Sequence, residues 1–325
     1  VSANLSDYDF ELPRELVASR PLPDRAASSM MVVDRAAGAI SHRMFRDLPE
    51  FLRAGDLLVL NNSRVIPARL LTDDGKIEIL VSEKLSDGRW RAFARPGKRT
   101  LPGASVAIAG TTAHIEEVDA TDGTRIVRFE AEPDFEALGH MPIPPYLGRD
   151  DDAEDRVRYQ TVYAKVAGSV AAPTAGLHFT PEILGALPHA FVTLHVGPGT
   201  FLPVRTDNLD EHRMHAEEFE VGGQAAEAIN KAGRLVVVGT TTLRVLESLP
   251  PGPVHAGGGS TDIFIRPGFE FQRTSALLTN FHLPKSTLFV LVCALAGTDL
   301  MREAYAQAIR ERYRFFSYGD CMLII

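Results

Sequence analysis

Two textures of apolar and polar positions divide the chain. Residues 30–34 (Met-Met-Val-Val-Asp) and 55–60 (Gly-Asp-Leu-Leu-Val-Leu) are continuous apolar runs, which predict strands of a sheet covered on both faces. Residues 42–52 between them predict a short helix. From about 68 to 141 the runs become short and alternating, at 76–80, 90–93, 105–108, 114–118 and 125–129. Turn signals separate them: Asp74-Gly75, Asp87-Gly88, Pro102-Gly103 and Asp122-Gly123. Many short strands at regular spacing predict a small antiparallel barrel or sandwich. After Pro142 the first texture returns, with helix-like segments at 150–163, 224–232, 242–249 and 300–312 and strands at 191–195 and 235–239. The apolar run 288–296 reads as a buried strand or helix and is far too short to span a bilayer. The glycines at 257–259 read as a tight loop. The expected fold class is therefore α/β, with a main α/β domain (1–68 plus 143–325) interrupted by an inserted small antiparallel β-barrel domain (69–142).

Composition narrows the function classes. A chain of 325 residues suits two domains, and 45% hydrophobic with 23% charged residues is ordinary for a globular protein. The net charge of −8 disfavours a general nucleic-acid or membrane-surface binder but leaves room for a local basic patch. Cys293 and Cys321 form no CxxC pair, so neither a disulfide scaffold nor a cysteine zinc site is expected and a reducing cytoplasm is the default. The first ten residues show no basic-then-apolar pattern, so no signal peptide is expected. There is no GxGxxG, GxxxxGK[ST] or GxSxG, which removes the main support for NAD, ATP and serine-hydrolase readings.

Several apolar strands stop at clusters of small, hydroxyl or charged residues. These are Asn61-Asn-Ser-Arg64, His195-Val-Gly-Pro-Gly199-Thr200 and Gly239-Thr240-Thr241-Thr242-Leu-Arg244. Ligands of open α/β sheets sit at such strand ends, and a helix starting at Thr240 and Thr241 would favour an anion; plain turn and N-cap chemistry is the alternative. The stretch 173–181 carries two prolines and presents Thr174, His178 and Thr180 from a structured loop. His212 and His215 are three apart and would share a helix face, either as metal ligands or as acid/base groups. His282 and Lys285 precede the apolar run 288–296. Arg89, Arg91, Arg95, Lys98 and Arg99 form a basic stretch with no acid; alternation puts Trp90 in the barrel core and leaves a face for phosphates or simply for solvent. The aromatic segment 311–320 either stacks on a ligand or is core.

Taken together these segments resemble the S-adenosylmethionine:tRNA ribosyltransferase-isomerase family of queuosine biosynthesis. The resemblance is carried by residues 8–13 (YDFELP), 55–69 (GDLLVLNNSRVIPAR), 95–98 (RPGK), 141–146 (MPIPPY), 158–163 (RYQTVY) and 171–180 (AAPTAGLHFT). It continues through 191–197 (FVTLHVG), 211–215 (EHRMH), 279–284 (TNFHLP) and 314–320 (RFFSYGD), in the family's order over nearly the whole chain. Glu218 stands where many members carry an aromatic, and Arg266 replaces a common tyrosine.

The resemblance implies an α/β domain with an inserted β-barrel. It also implies that S-adenosylmethionine is consumed as donor of its ribosyl part. The acceptor would be 7-aminomethyl-7-deazaguanine at the wobble position of a tRNA, and the products epoxyqueuosine-tRNA, adenine and methionine. No metal is expected, because the sulfonium supplies the electrophilic pull; a monomeric cytoplasmic protein with no membrane partner is expected. His178, His212, His215 and His282 are the acid/base candidates. Asn61, Arg64, Thr174, Thr180, Gly199, Thr200, Thr240, Thr241, Tyr318 and Asp320 are the candidates for the donor. Arg89, Arg91, Arg95, Lys98 and Arg99 are the candidates for tRNA. The competing expectation is a metal-dependent hydrolase using His212, His215 and Glu217 or Asp262; a non-catalytic RNA-binding module is the third.

Overall fold

The computed structural model describes residues 3–120, 122–197 and 206–325. Gly199 and Thr200 lie outside the described residues. In chain order the first strands are β1 (Ser29–Asp34), β2 (Ala39–Met44), β3 (Asp56–Asn61) and the short β4 (Ser63–Val65). The alternating block follows as β5 (Arg69–Leu71), β6 (Glu78–Lys84), β7 (Trp90–Arg95), β8 (Ser105–Ile108), β9 (Thr111–Val118) and β10 (Arg125–Phe129). Then come helix α1 (Phe135–Leu138), α2 (Ala153–Arg158), β11 (Val166–Ser169), α3 (Pro181–Gly185), β12 (His189–Leu194) and β13 (Glu217–Val221). The chain closes with α4 (Gly223–Lys231), β14 (Arg234–Val238), α5 (Thr240–Ser248), β15 (Gly257–Thr261), β16 (Ala276–Asn280), α6 (Thr287–Ala296), α7 (Thr298–Arg310) and β17 (Cys321–Ile324).

Nine strands form one sheet in the order β15-β13-β12-β3-β14-β16-β17-β1-β2. Its centre, β12-β3-β14-β16, is parallel, and β17 runs antiparallel to β16. Period-two alternation feeds two cores. Met31, Val33, Leu57, Val59, Leu235, Val237 and Leu277 face a thick layer holding α4 to α7. Met30, Val32, Leu58, Leu60, Val236, Val238 and Leu278 face a thin layer with Phe45, Leu48, Ala175, Phe179 and Leu184. This is why those strands are apolar on both faces. The run 288–296 resolves as helix α6, capped by the Ser286 hydroxyl, which accepts from Phe289 N–H.

The inserted block is a six-stranded antiparallel, nearly closed barrel, β5-β6-β7-β10-β9-β8, with its own core of Ile79, Val81, Trp90, Ala92, Ile115 and Val127. Trp90 points inward as alternation requires and meets Phe135 edge-on at 5.2 Å.

Three local expectations are corrected. Residues 42–44 extend β2, because Met44 pairs with Ser29, and only Phe45–Phe51 is helical, as a 3-10 helix. Within 150–163 only Ala153–Arg158 is helical, since Asp152 and Asp155 are spent on a capping box at its start. Residues 257–261 are a strand rather than a loop: Gly259 pairs with Phe219, whose ring lies where a side chain would be, 2.8 Å from an added Cβ.

Candidate active site

The parallel strands β12, β3, β14 and β16 deliver their carboxyl ends to one edge, joined by the amino ends of β17 and β1. Asn61 closes β3 there. Its Nδ2 donates to Leu194 O (2.9 Å), and its Oδ1 accepts from Leu194 N–H and Ser63 N–H (3.0 Å each). Thr241 Oγ1 lies 3.5 Å from the same Nδ2, at the start of α5. The chain turns from β14 into α5 at Gly239, whose φ of +86° suits glycine. A second hydroxyl pair, Ser169 Oγ donating to Ser63 Oγ at 2.8 Å, ties β11 to β4, and Ser169 Oγ also accepts from Val196 N–H.

His178 lies at the end of the 3-10 helix Thr174–His178, buried over the thin face of the sheet. Its Nδ1 is 2.9 Å from Ser28 Oγ and its Nε2 is 3.0 Å from Asn280 Oδ1. Asn280 Nδ2 donates to Phe316 O, so Oδ1 is the acceptor and Nε2 carries the proton. Nδ1 then accepts from the Ser28 hydroxyl. Burial pushes the pKa of this imidazole down to about 4. Ser28 and His178 line a small open cleft, with Arg25, Arg158 and Tyr318 among its walls.

His282 is elsewhere. Alternation places Thr279 on the opposite face of β16 from Asn280, and Thr279 Oγ1 is the 3.0 Å partner of His282 Nε2. The Tyr305 hydroxyl accepts from His282 N–H, and burial pushes the imidazole pKa down to about 3. His212 and His215 do not share a helix face: the 3-10 helix Leu209–Glu211 ends before them and His212 is extended. The His212 ring packs on Phe264 at 5.2 Å, and burial lowers its pKa. His215 Nδ1 is 4.0 Å from Asp122 of the barrel. Among the described residues no group of three or more His, Cys, Asp or Glu side chains is placed to hold a metal ion. The hydrolase expectation thereby loses the helix on which it rested.

The remaining donor candidates divide. Thr240 and Thr241 are buried at the α5 start. Thr180 caps α3, accepting from Ile183 N–H, and Arg64 pairs with Glu136 at 2.8 Å. Tyr318 donates to Asp155 Oδ1 at 2.7 Å, and Asp320 accepts from Ser29 N–H and Arg314 N–H. On the barrel, Arg89 is tied to Asp87, Glu116 and Glu117, and Arg91 to Glu83 and Asp119. Arg95, Lys98 and Arg99 are exposed, and among the described residues no carboxylate pairs with them.

Sequence reasoning missed Ser28 and Asn280, the two partners of His178. His195, at a strand end the sequence pointed to, has a buried Nδ1 with no partner among the described residues, and its ring packs where Gly168 leaves room. Arg244, the charged end of the 239–244 cluster, forms a buried ion pair with Glu217, whose Oε1 accepts from Gly197 N–H. Asn280 sits in the 279–284 motif beside His282, but it closes β16 whereas His282 lies beyond the strand.

Fold and site together define an α/β protein with buried polar chemistry at the ends of parallel strands and an inserted antiparallel barrel. A family profile described as queuosine biosynthesis protein matches residues 5–324. An S-adenosylmethionine:tRNA ribosyltransferase-isomerase from Symbiobacterium thermophilum is 50% identical over 341 aligned positions, covering 99% of each chain. One from an Anaeromyxobacter species (strain K) is 49% identical with the same coverage. A crystal structure of the S-adenosylmethionine tRNA ribosyltransferase of Thermotoga maritima is similar at a TM-score of 0.57 and 38% identity, covering 98% of this chain and 100% of that one. The chain belongs to the queuosine biosynthesis family of S-adenosylmethionine:tRNA ribosyltransferase-isomerases.

Proposed function

We propose that this protein transfers and isomerises the ribosyl part of S-adenosylmethionine onto 7-aminomethyl-7-deazaguanine at the wobble position of a tRNA, releasing adenine and methionine. The observation that carries the chemical side of this reading is the Ser28–His178–Asn280 chain opening on a cleft at the strand ends. The reaction needs a base for the ribose carbon beside the sulfonium, which that positive sulfur acidifies. His178 takes this role. Its low pKa keeps the ring unprotonated across the physiological range, Asn280 fixes the tautomer, and the Nδ1 lone pair reaches the cleft through the Ser28 hydroxyl. His212, His215 and His282 have no contact with this cleft among the described residues.

The donor's polar groups meet Asn61, Thr174, Thr240 and Thr241, where the first turn of α5 offers N–H groups. The sulfonium supplies the electron-withdrawing pull, so turnover needs no metal. The barrel, taken as the unit 69–142, brings Arg95, Lys98 and Arg99 to the tRNA, and one copy of the chain in the cytoplasm suffices. Among the described residues no helix is long and apolar enough to cross a membrane.

The test is incubation with S-adenosylmethionine and precursor-bearing tRNA, reading adenine by mass spectrometry and the modified nucleoside after digestion. Adenine release in step with epoxyqueuosine, unaffected by chelator, is expected. Its absence with folded protein would refute the reading.

A further inference from the structure

Two guanidiniums in the wall of the cleft beside His178, Arg25 and Arg158, form no ion pair with any acid among the described residues. Arg25 donates from Nη1 to Leu177 O (2.9 Å) and from Nη2 to Val157 O (3.1 Å). Arg158 donates from Nη2 to Leu22 O (2.7 Å) and from Nη1 to Pro23 O (3.2 Å). Both are held by carbonyls, which fix a guanidinium fork without neutralising it. Arg158 Nε is buried with no partner among the described residues. Among the described residues neither guanidinium forms an ion pair, whereas most arginines of the barrel do. Asp24 also lines the cleft, but its carboxylate accepts from Ala26 N–H (2.9 Å) and faces Arg46 at 3.5 Å.

We propose that this cleft is an oxyanion site, filled by a substrate of the ribosyl transfer: the carboxylate of the donor's methionyl part or a phosphate beside the wobble nucleotide. The inference rests on the function proposed above. Half-buried guanidiniums without a counter-charge are costly, and an entering oxyanion offsets that cost. Fixed forks bind a carboxylate or phosphate with little ordering left to do. The cleft also touches Ser28 and His178, so an anion held there would orient the reacting sugar against the proposed base.

Three measurements on wild type, Arg25→Gln, Arg158→Gln and Arg158→Lys test this. Inorganic phosphate should raise the thermal midpoint of wild type and of Arg158→Lys, and should do so much less for Arg158→Gln. S-adenosylmethionine affinity by calorimetry and tRNA affinity against salt then separate the sources. A donor Kd weakened about tenfold or more, with the tRNA salt slope kept, assigns the carboxylate. A log–log salt slope reduced by about 0.7, with the donor Kd kept, assigns the phosphate. Because both arginines hold backbone carbonyls, folding is checked by each variant's own melting curve. Folded Arg25→Gln and Arg158→Gln proteins that bind phosphate, donor and tRNA like wild type would overturn the proposal. A wild type that releases no adenine, yet shows Arg158-dependent phosphate protection, would leave the cleft standing and refute only the function.

Discussion

At the strand ends of the large sheet, polar groups are buried, uncharged and hydrogen-bonded to backbone or to each other: Asn61 with the Leu194 backbone, Ser63 with Ser169, His178 with Ser28 and Asn280. On the barrel, polar groups are charged, exposed and paired with each other, as in Arg128–Glu116, Lys84–Glu132 and Arg89–Glu117. Buried neutral bonds are worth much when broken, because the surviving partner is left without water. Exposed ion pairs are worth little individually. The first region is therefore built to hold geometry and a tautomer. The second is built to cancel most of its charge, leaving a few cations such as Arg95, Lys98 and Arg99 to meet a polyanion. One exception crosses the division: Glu217–Arg244 is a charged pair sealed among the neutral bonds, and Glu217 also accepts from the Gly197 N–H.

The largest expected effect lies in the first region. His178→Ala should lower kcat by a hundredfold to ten-thousandfold, roughly 3–5 kcal/mol in activation free energy, with tRNA affinity unchanged. Single-turnover adenine release at saturating substrate is the measurement. A drop below tenfold in folded protein would remove His178 as the base and erase the contrast in chemistry between the two regions. Asn61→Ala should come next. It strands the buried Leu194 and Ser63 N–H groups and should cost on the order of 3 kcal/mol of stability, read from urea unfolding. The same truncation at an exposed barrel pair, Lys84→Ala, should move the midpoint hardly at all.

The pH dependence of stability sharpens the comparison further. His178 and His282 fold as neutral imidazoles, with pKa values pushed by burial from the ordinary 6.5 down to about 4 and about 3. The unfolded chain takes up these protons below 6.5 and the folded chain does not. Stability is therefore full above pH 6.5 and is lost as pH falls towards 4 and then 3. Near pH 5 each histidine should cost about 2 kcal/mol. Urea unfolding at about pH 7.5 and 5 should show this loss, and His282→Gln should remove about half of it. An unchanged pH difference in that variant would place the sensitivity outside the buried histidines.

Much of the fold was legible because it rests on periodicity. The two-faced apolar strands at β1, β3 and β14 and the alternating block of the barrel are repeated signals, and the partner of each residue hardly matters to them. The site was legible only in part. Asn61 and Thr241 were found because a strand stops at them. Ser28 and Asn280 were not, because their role is a contact with His178 that no local pattern encodes. The paired histidines 212 and 215 suggested a helix that the sequence around them does not support, since nothing extends the 3-10 turn past Glu211. The strand at 257–261 was hidden because its glycines have no side chains and its cover, Phe219, is far off in the chain. The basic strand face has partners that no local pattern shows: Glu83 comes from the neighbouring strand β6, and Glu116, Glu117 and Asp119 come from β9, beyond β10, and the turn that follows it.

The smallest expected effect follows from that last point. Arg89 and Arg91 already face carboxylates, so a phosphate must compete with them, whereas Arg95, Lys98 and Arg99 meet none among the described residues. Replacing Arg95, Lys98 and Arg99 with Gln, one at a time, should weaken tRNA binding. Each lost phosphate contact should lower the log–log salt slope by about 0.7. Replacing Arg91 with Gln should leave affinity and slope nearly as they were, with at most a few tenths of a kcal/mol in stability from the lost exposed pair. Donor binding should be the same in all four variants, because these residues lie on the barrel and the donor's contacts lie at the strand ends. Filter binding of precursor tRNA across a salt series reads the slopes directly. If Arg91 proved to carry the slope and the 95–99 loop none of it, the barrel's ion pairs would be yielding to the tRNA rather than cancelling its attraction, and the division between a compensated face and a free loop would fail.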